Sequence, residues 1–133
     1  MKKFLIAALL VVLSFDGLAM EKPNVTCKEL QDSFVKMPYK FKKILDYEDA
    51  FFIYVQNNRD CDLYDVSYRG YWSAREYLEV VEEAWGNLHE QGCGEKEPGR
   101  LFDARAWTID LDFSAQISLR MVLTEKRKMK CKA

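Results

Sequence analysis

Residues 101–128 read LFDARAWTIDLDFSAQISLRMVLTEKRK, and the choice of fold turns on this stretch. From Trp107 through Ile109, Leu111, Phe113, Ala115, Ile117, Leu119 and Met121 to Leu123, every odd position is apolar. Of the even positions from Thr108 to Thr124, only Val122 is not polar. A period of two is the mark of β-structure with one buried face. As one strand the run would span roughly 56 Å at about 3.3 Å per residue, more than the width of so small a domain, so it has to fold back. A three-residue loop at Ser114, Ala115 and Gln116 preserves the odd parity and sets Phe113 opposite Ile117. In that register Asp110 faces Arg120, Arg105 faces Glu125 and Asp103 faces Arg127, three opposite-charge pairs that the apolar pattern does not force. The expectation is a long antiparallel hairpin whose Trp107, Ile109, Leu111, Ile117, Leu119 and Met121 face a helix. Against it, the loop lacks the left-handed glycine that three-residue hairpin loops favour.

Working outward, Ser73 to Gln91 carries the clearest helical pattern. Ser73 and Glu76 have capping-box spacing, Ala74, Tyr77, Leu78, Val81, Ala84, Trp85 and Leu88 form one apolar stripe, and Gly92 supplies a stop. Further back, Thr26 and Glu29 form another capping box, opening a helix over 26–37 that Pro38 is expected to end. Phe41, Ile44 and Leu45 suggest a shorter helix, and the apolar run Ala50 to Gln56 reads as a buried strand. Phe41, Ile44, Phe52 and Val55 also fit a single long helix. Asn57 to Asp60 is turn-rich, and Cys61 to Tyr68 reads as the return strand, broken at Gly70. The order is α+β: N-terminal helices and one long amphipathic helix packed on an antiparallel sheet that ends in the C-terminal hairpin. This layout resembles the start of a cystatin-like or NTF2-like cone, a likeness of element order carried by no motif.

Residues 1–19 have the form of a secretory signal, with Lys2 and Lys3 ahead of the apolar run Phe4 to Leu13 and small residues Gly17 and Ala19 at the cleavage positions. The run is about ten residues against the ~20 a membrane span needs, so no stable insertion is expected after signal removal. Cleavage after Ala19 leaves 114 of the 133 residues, enough for one domain over 20–133. The short signal with its double lysine points to the bacterial periplasm, with extracellular release as the alternative. For a eukaryotic chain Asn24 to Thr26 would be the one glycosylation sequon. Without Lys2, Lys3 and Asp16, 18 basic and 20 acidic side chains remain, a net charge of −2 that argues against a general nucleic-acid binder.

All four cysteines, Cys27, Cys61, Cys93 and Cys131, lie in the mature part, and an even count bound for an oxidising compartment implies two disulfides. A strand leaving Cys61 and a helix returning to Cys93 would finish at one end, favouring Cys61 with Cys93 and Cys27 with Cys131. No CxxC motif is present, and with His89 the only histidine no metal or cofactor site is expected.

No spacing supplies a nucleophile with its base, so no catalytic residue is assigned. His89 reads as a surface histidine near a helix C-terminus. Asp110 and Asp112 share a face as an acid pair would, but Arg120 already accounts for Asp110. Two features stand out as binding candidates. Tyr64, Tyr68, Arg69, Tyr71 and Trp72 are of the types that anchor protein interfaces or stack on sugars, although about half of such rings are expected in the core. The basic end, Lys126, Arg127, Lys128, Lys130 and Lys132, would suit an acidic partner but reads first as a solvated strand end. The expectation is a small non-enzymatic protein-binding module, for instance an inhibitor or immunity protein whose partner is a secreted toxin or hydrolase. The alternative is a small-ligand binder or enzyme with a pocket between the sheet and the long helix, using Tyr and Trp walls and an Asp or His89 as acid/base.

Overall fold

The computed structural model describes residues 25–96 and 98–132. The signal segment and Asn24 lie outside the described residues. Four helices follow one another: α1, Cys27–Asn58; α2, Cys61–Arg75; α3, Tyr77–Glu90; and α4, Arg100–Lys128. Among the described residues there is no strand, so the chain is all-α and the α+β reading, with its cone-like layout, is corrected.

The correction begins at α4, a continuous helix where the hairpin was expected. Its buried positions are Leu101, Ala104, Thr108, Asp112, Ala115, Leu119 and Val122, spaced three or four apart. That stripe is hard to see in the sequence because two of its members are polar and two are alanine. The Thr108 hydroxyl is satisfied by donating to the Arg105 carbonyl at 2.7 Å, and Asp112 by an ion pair. Of the residues expected to be buried by the hairpin, only Leu119 is fully so; Trp107 and Leu111 are half-buried, and Ile109, Ile117 and Met121 are exposed. The three cross-strand charge pairs are not made. Arg105 instead reaches Glu82 of α3, with Nη2 2.8 Å from Oε1.

α1 is the single long helix that the spacing of Phe41, Ile44, Phe52 and Val55 also allowed. Thr26 caps it as expected, its hydroxyl accepting from the Glu29 N–H at 3.1 Å while Glu29 Oε1 accepts from the Thr26 N–H at 2.9 Å. Pro38 does not stop it. The cost of one missing N–H is borne by a helix whose Phe34, Pro38, Phe41, Leu45, Phe52 and Val55 are all buried, so tertiary packing outweighs the local break. The turn at Asn57 to Asp60 contracts to two residues. Arg59 is left-handed (φ 49°) and gives its N–H to the Val55 carbonyl; Asp60 Oδ1 then caps α2 by accepting from the Asp62 and Leu63 N–H groups. The expected return strand from Cys61 is therefore helical. The helix expected from Ser73 begins a dozen residues earlier and breaks at Glu76, where Glu76 and Glu79 donate to carbonyls three residues back. Gly92, at φ +71°, ends α3 as expected, a conformation that a side chain would strain.

Bridges join Cys27 to Cys93 and Cys61 to Cys131, with Cα separations of 5.2 and 5.6 Å. Disulfide formation matches the sequence expectation and the pairing does not: with no strand to return, α2 and α3 descend together and put Cys61 and Cys93 at opposite ends. The bridges fix the topology. α1 rises about 48 Å at ~1.5 Å per residue, α2 and α3 come down as one broken rod, and α4 rises parallel to α1. The Arg100 guanidinium meets Asp32 near the start of α1, and Lys126 meets Asp65 near the start of α2, which confirms the alignment.

The break at Glu76 divides the core. Above it Phe41, Leu45, Phe52, Val55, Tyr64, Tyr71, Ala115, Leu119 and Val122 pack together; below it Phe34, Val81, Leu88, Leu101, Ala104 and the Cys93 sulfur form a second cluster. Burying each such Phe or Leu contributes roughly 1.5–3 kcal/mol, so the upper cluster, with its two additional buried tyrosines, is the larger share of the core.

Candidate interaction surface

The aromatic segment on α2 splits by helical face. Tyr64 and Tyr71 point inward and are buried, each with its ring edge-on to Phe52. Burial, together with a 2.5 Å hydrogen bond to Asp49, holds the Tyr71 hydroxyl well above the usual phenol range. Tyr68 is half-buried, and Arg69 and Trp72 remain exposed, Trp72 at 47%.

Trp72 is exposed without being loose. The Tyr68 ring meets it edge-on at 6.4 Å, and the Arg75 guanidinium, one helical turn on, lies 4.8 Å from its centroid. Arg75 is itself fixed from behind: Nε and Nη2 donate to the two oxygens of Asp112 at 2.8 and 3.1 Å, and Gln116 Nε2 donates to the same carboxylate at 2.9 Å. Asp112 is buried, so a carboxylate in the α4 seam anchors a guanidinium that stiffens an exposed indole. The hydrogen bond to Asp112 raises the Arg75 pKa further, and this side chain stays charged at any ordinary pH. Glu76, Leu78 and Glu79 complete a shallow groove of about 370 Å³ beside the indole, at the point where α2 gives way to α3.

Arg75 and Asp112 are the members that the sequence reading missed. The signal for Arg75 is its three-residue spacing from Trp72, which matters only once the segment is helical. For Asp112 it is a charged residue at a seam position between Thr108 and Ala115, which demands a partner. Asp110 and Asp112 do not form an acid pair, since Asp110 is exposed and Asp112 faces α2. His89 sits on the surface, Nδ1 2.9 Å from the Trp85 carbonyl oxygen and its ring 4.6 Å from the indole. The basic end of α4 is mostly solvated, with Lys126 spent on Asp65.

A second groove, of about 330 Å³, runs between α1 and α4. Its walls are Val35, Pro38, Tyr39, Ala104 and Trp107, and Lys36, Arg100 and Asp103 complete its lining. Tyr39 and Trp107 meet edge to face at 4.7 Å. The pocket between sheet and helix has no place in this fold, which has no sheet. Among the described residues no cluster of three or more His, Cys, Asp or Glu side chains could hold a metal, and no helix is long and apolar enough to cross a membrane. No family model matches this chain, and no curated protein or solved structure matches it, so the functional reading rests on its own residues.

Proposed function

We propose that this disulfide-clamped three-rod bundle is a non-enzymatic protein-binding module of the periplasm or extracellular space, and that Trp72 and Arg75 are its central contact. The observation that carries the reading is the chain of contacts from buried Asp112 through Arg75 to exposed Trp72. Interface energy concentrates in Trp, Tyr and Arg side chains, and a side chain already immobilised loses less entropy on binding. Two disulfides support an oxidising compartment. A partner that is a secreted toxin or hydrolase, blocked by occlusion, is the form of this function that needs nothing further from the chain.

The test places a photo-crosslinking phenylalanine analogue at position 72 in secreting cells, and at exposed Tyr47 as the control. A discrete adduct from position 72 but not from 47 is expected. Trp72→Ala should then weaken binding of the captured protein about thirtyfold or more, with its melting temperature close to wild type. No adduct at 72, or loss of stability and binding together, would end the proposal. The α1–α4 groove favours a second reading, a small apolar ligand. It would show as a ligand-induced rise in melting temperature lost in Trp107→Ala but kept in Trp72→Ala.

A further inference from the structure

α4 carries a second apolar stripe on the side away from the core. Phe102, Ile109, Phe113, Ile117 and Met121 are each more than two-fifths exposed, Phe113 at 58%, and all lie within about 60° of one line along the helix at ~100° per residue. Together they leave on the order of 400 Å² of apolar surface in water, comparable to the largest patch on a typical monomer. Among the described residues nothing covers it.

Charge flanks this stripe in an ordered way. Asp103 and Asp110 lie toward the N-terminal half, and Arg120, Arg127 and Lys128 toward the C-terminal half. Among the described residues none of these five makes an ion pair within the chain, whereas Arg75, Arg100, Arg105 and Lys126 all do. The arrangement is symmetric about Ala115: positions that add to 230 pair Asp110 with Arg120, Asp103 with Arg127, Phe113 with Ile117 and Ile109 with Met121. Within one helix such symmetry brings nothing together. Between two antiparallel copies of the helix related by a two-fold axis at the level of Ala115, it sets the members of each pair at the same level, one on either side of the seam.

We propose that this face docks a second copy of the same chain, α4 against α4 and antiparallel, giving a two-fold dimer. The parallel arrangement is disfavoured because it stacks Asp103, Asp110 and Arg120 each on its own equal. Shifting the antiparallel register by one heptad matches Asp110 to Arg127 but leaves Asp103 opposite no basic residue of α4. The size is also right. A stable dimer buries about 800 Å² per partner, and the apolar stripe supplies roughly half, leaving the flanks from Asp103 to Arg127 to supply the rest. The face is distinct from the Trp72–Arg75 patch, so the dimer stands or falls independently of the proposed function and would present that patch twice.

The experiment is sedimentation equilibrium on the disulfide-bonded secreted protein from 1 to 200 µM, with single and paired charge reversals. Wild type should approach twice its monomer mass. Phe113→Asp should sediment as a monomer, with helicity and melting temperature retained because the residue is exposed. Asp110→Arg alone and Arg120→Asp alone should each raise the dissociation constant at least tenfold, and the double reversal should restore it, since in a two-fold dimer it rebuilds both pairs with their signs exchanged. A wild type that is monomeric at 200 µM, including one that instead binds lipid vesicles through this face, overturns the proposal. So does a dimer indifferent to the charge reversals, which would place the contact elsewhere.

Discussion

Replacing Cys61 and Cys131 with serine opens one clamp while removing almost no apolar contact, because both cysteines are only half-buried. The bridge joins positions 70 apart, and closing a loop of that length in the unfolded chain is worth about 4.4 kcal/mol in the chain-entropy treatment. The Cys27–Cys93 bridge, 66 apart, gives the same figure to within ~0.1 kcal/mol. For a domain of about 110 residues, a loss of this size lowers the melting temperature by roughly 20 °C. Urea unfolding of each serine pair against wild type is the assay. Each variant should lose about 3–4 kcal/mol, the shortfall reflecting residual structure in the unfolded chain, and each should show a larger denaturant dependence as the unfolded state expands. Because the two loops are nearly equal, the two losses should agree within about 1 kcal/mol. A loss below ~1 kcal/mol for either would refute the entropic argument for that bridge. Peptide mapping that found Cys61 joined to Cys93 would refute the three-rod path itself, since that path sets those residues some 45 Å apart.

Asp112→Ala should cost about 2–3 kcal/mol in urea unfolding, at or below the lower end for breaking a buried pair because Arg75 keeps a route to water. Asp112→Leu combined with Arg75→Met should recover most of that loss, and a double variant worse than Asp112→Ala would contradict the assignment. Glu48 is pushed above its ordinary value of 4.5 by burial and then by Asp49. A carboxyl raised on folding opposes stability while ionised and stops doing so as pH falls through the raised value, so Glu48→Gln should raise the melting temperature at pH 7 and the gain should shrink toward pH 4.5; a loss at pH 7 would contradict this. Leu119→Ala on the inner side of α4 should cost about 2–5 kcal/mol, whereas Phe113→Gln on its outer side should change monomer stability by under ~0.5 kcal/mol; comparable losses would mean the buried face is misassigned.

Some local signals in this sequence were legible: the Thr26–Glu29 box, the stop at Gly92, and the α3 stripe of Val81 and Leu88 are as expected, whereas the Ser73–Glu76 box is not formed, because Ser73 lies inside α2 and no side chain caps α3. Disulfide formation was legible from count and compartment, but its pairing required the path of α2, which Cys61 to Tyr68 conceals. Its Tyr64, Val66 and Tyr68 alternate like a strand, yet it is Tyr64, Ser67, Tyr71 and Ala74, at helical spacing, that are buried. Pro38 misled because the rule that proline ends a helix is local and the packing of Phe34 and Phe41 around it is not. The interaction surface was half legible: residue types flagged Trp72, but the residues that make it rigid come from a different turn and a different helix.

The reading of α4 failed for a reason with physical content. Residues two apart on an α-helix lie about 200° apart, nearly opposite. A run that is apolar at every second position is therefore two ladders of four-residue step on opposite sides of a helix, as well as one face of a strand. In α4 the ladder Leu111, Ala115, Leu119 leans into the bundle and the ladder Ile109, Phe113, Ile117, Met121 leans out of it. An ordinary surface helix never produces this ambiguity, because its outer ladder is polar. The quantity that decides is length. As a strand the stretch overran the domain and needed a turn that no glycine supplied, whereas as a helix its 29 residues span about 44 Å and match the 32 of α1. The three charge pairs that made the hairpin persuasive are a second consequence of the same sequence symmetry about Ala115. One of them, Arg105 with Glu125, is excluded because Arg105 is held by Glu82 inside the bundle. The two that remain, Asp110 with Arg120 and Asp103 with Arg127, flank the outer ladder and none of their four residues has an ion-pair partner among the described residues. The antiparallel hairpin is thus wrong for this chain, and the symmetry that suggested it bears only on the proposed dimer: two antiparallel copies of α4 centred on Ala115 would set Asp110 level with Arg120 and Asp103 level with Arg127.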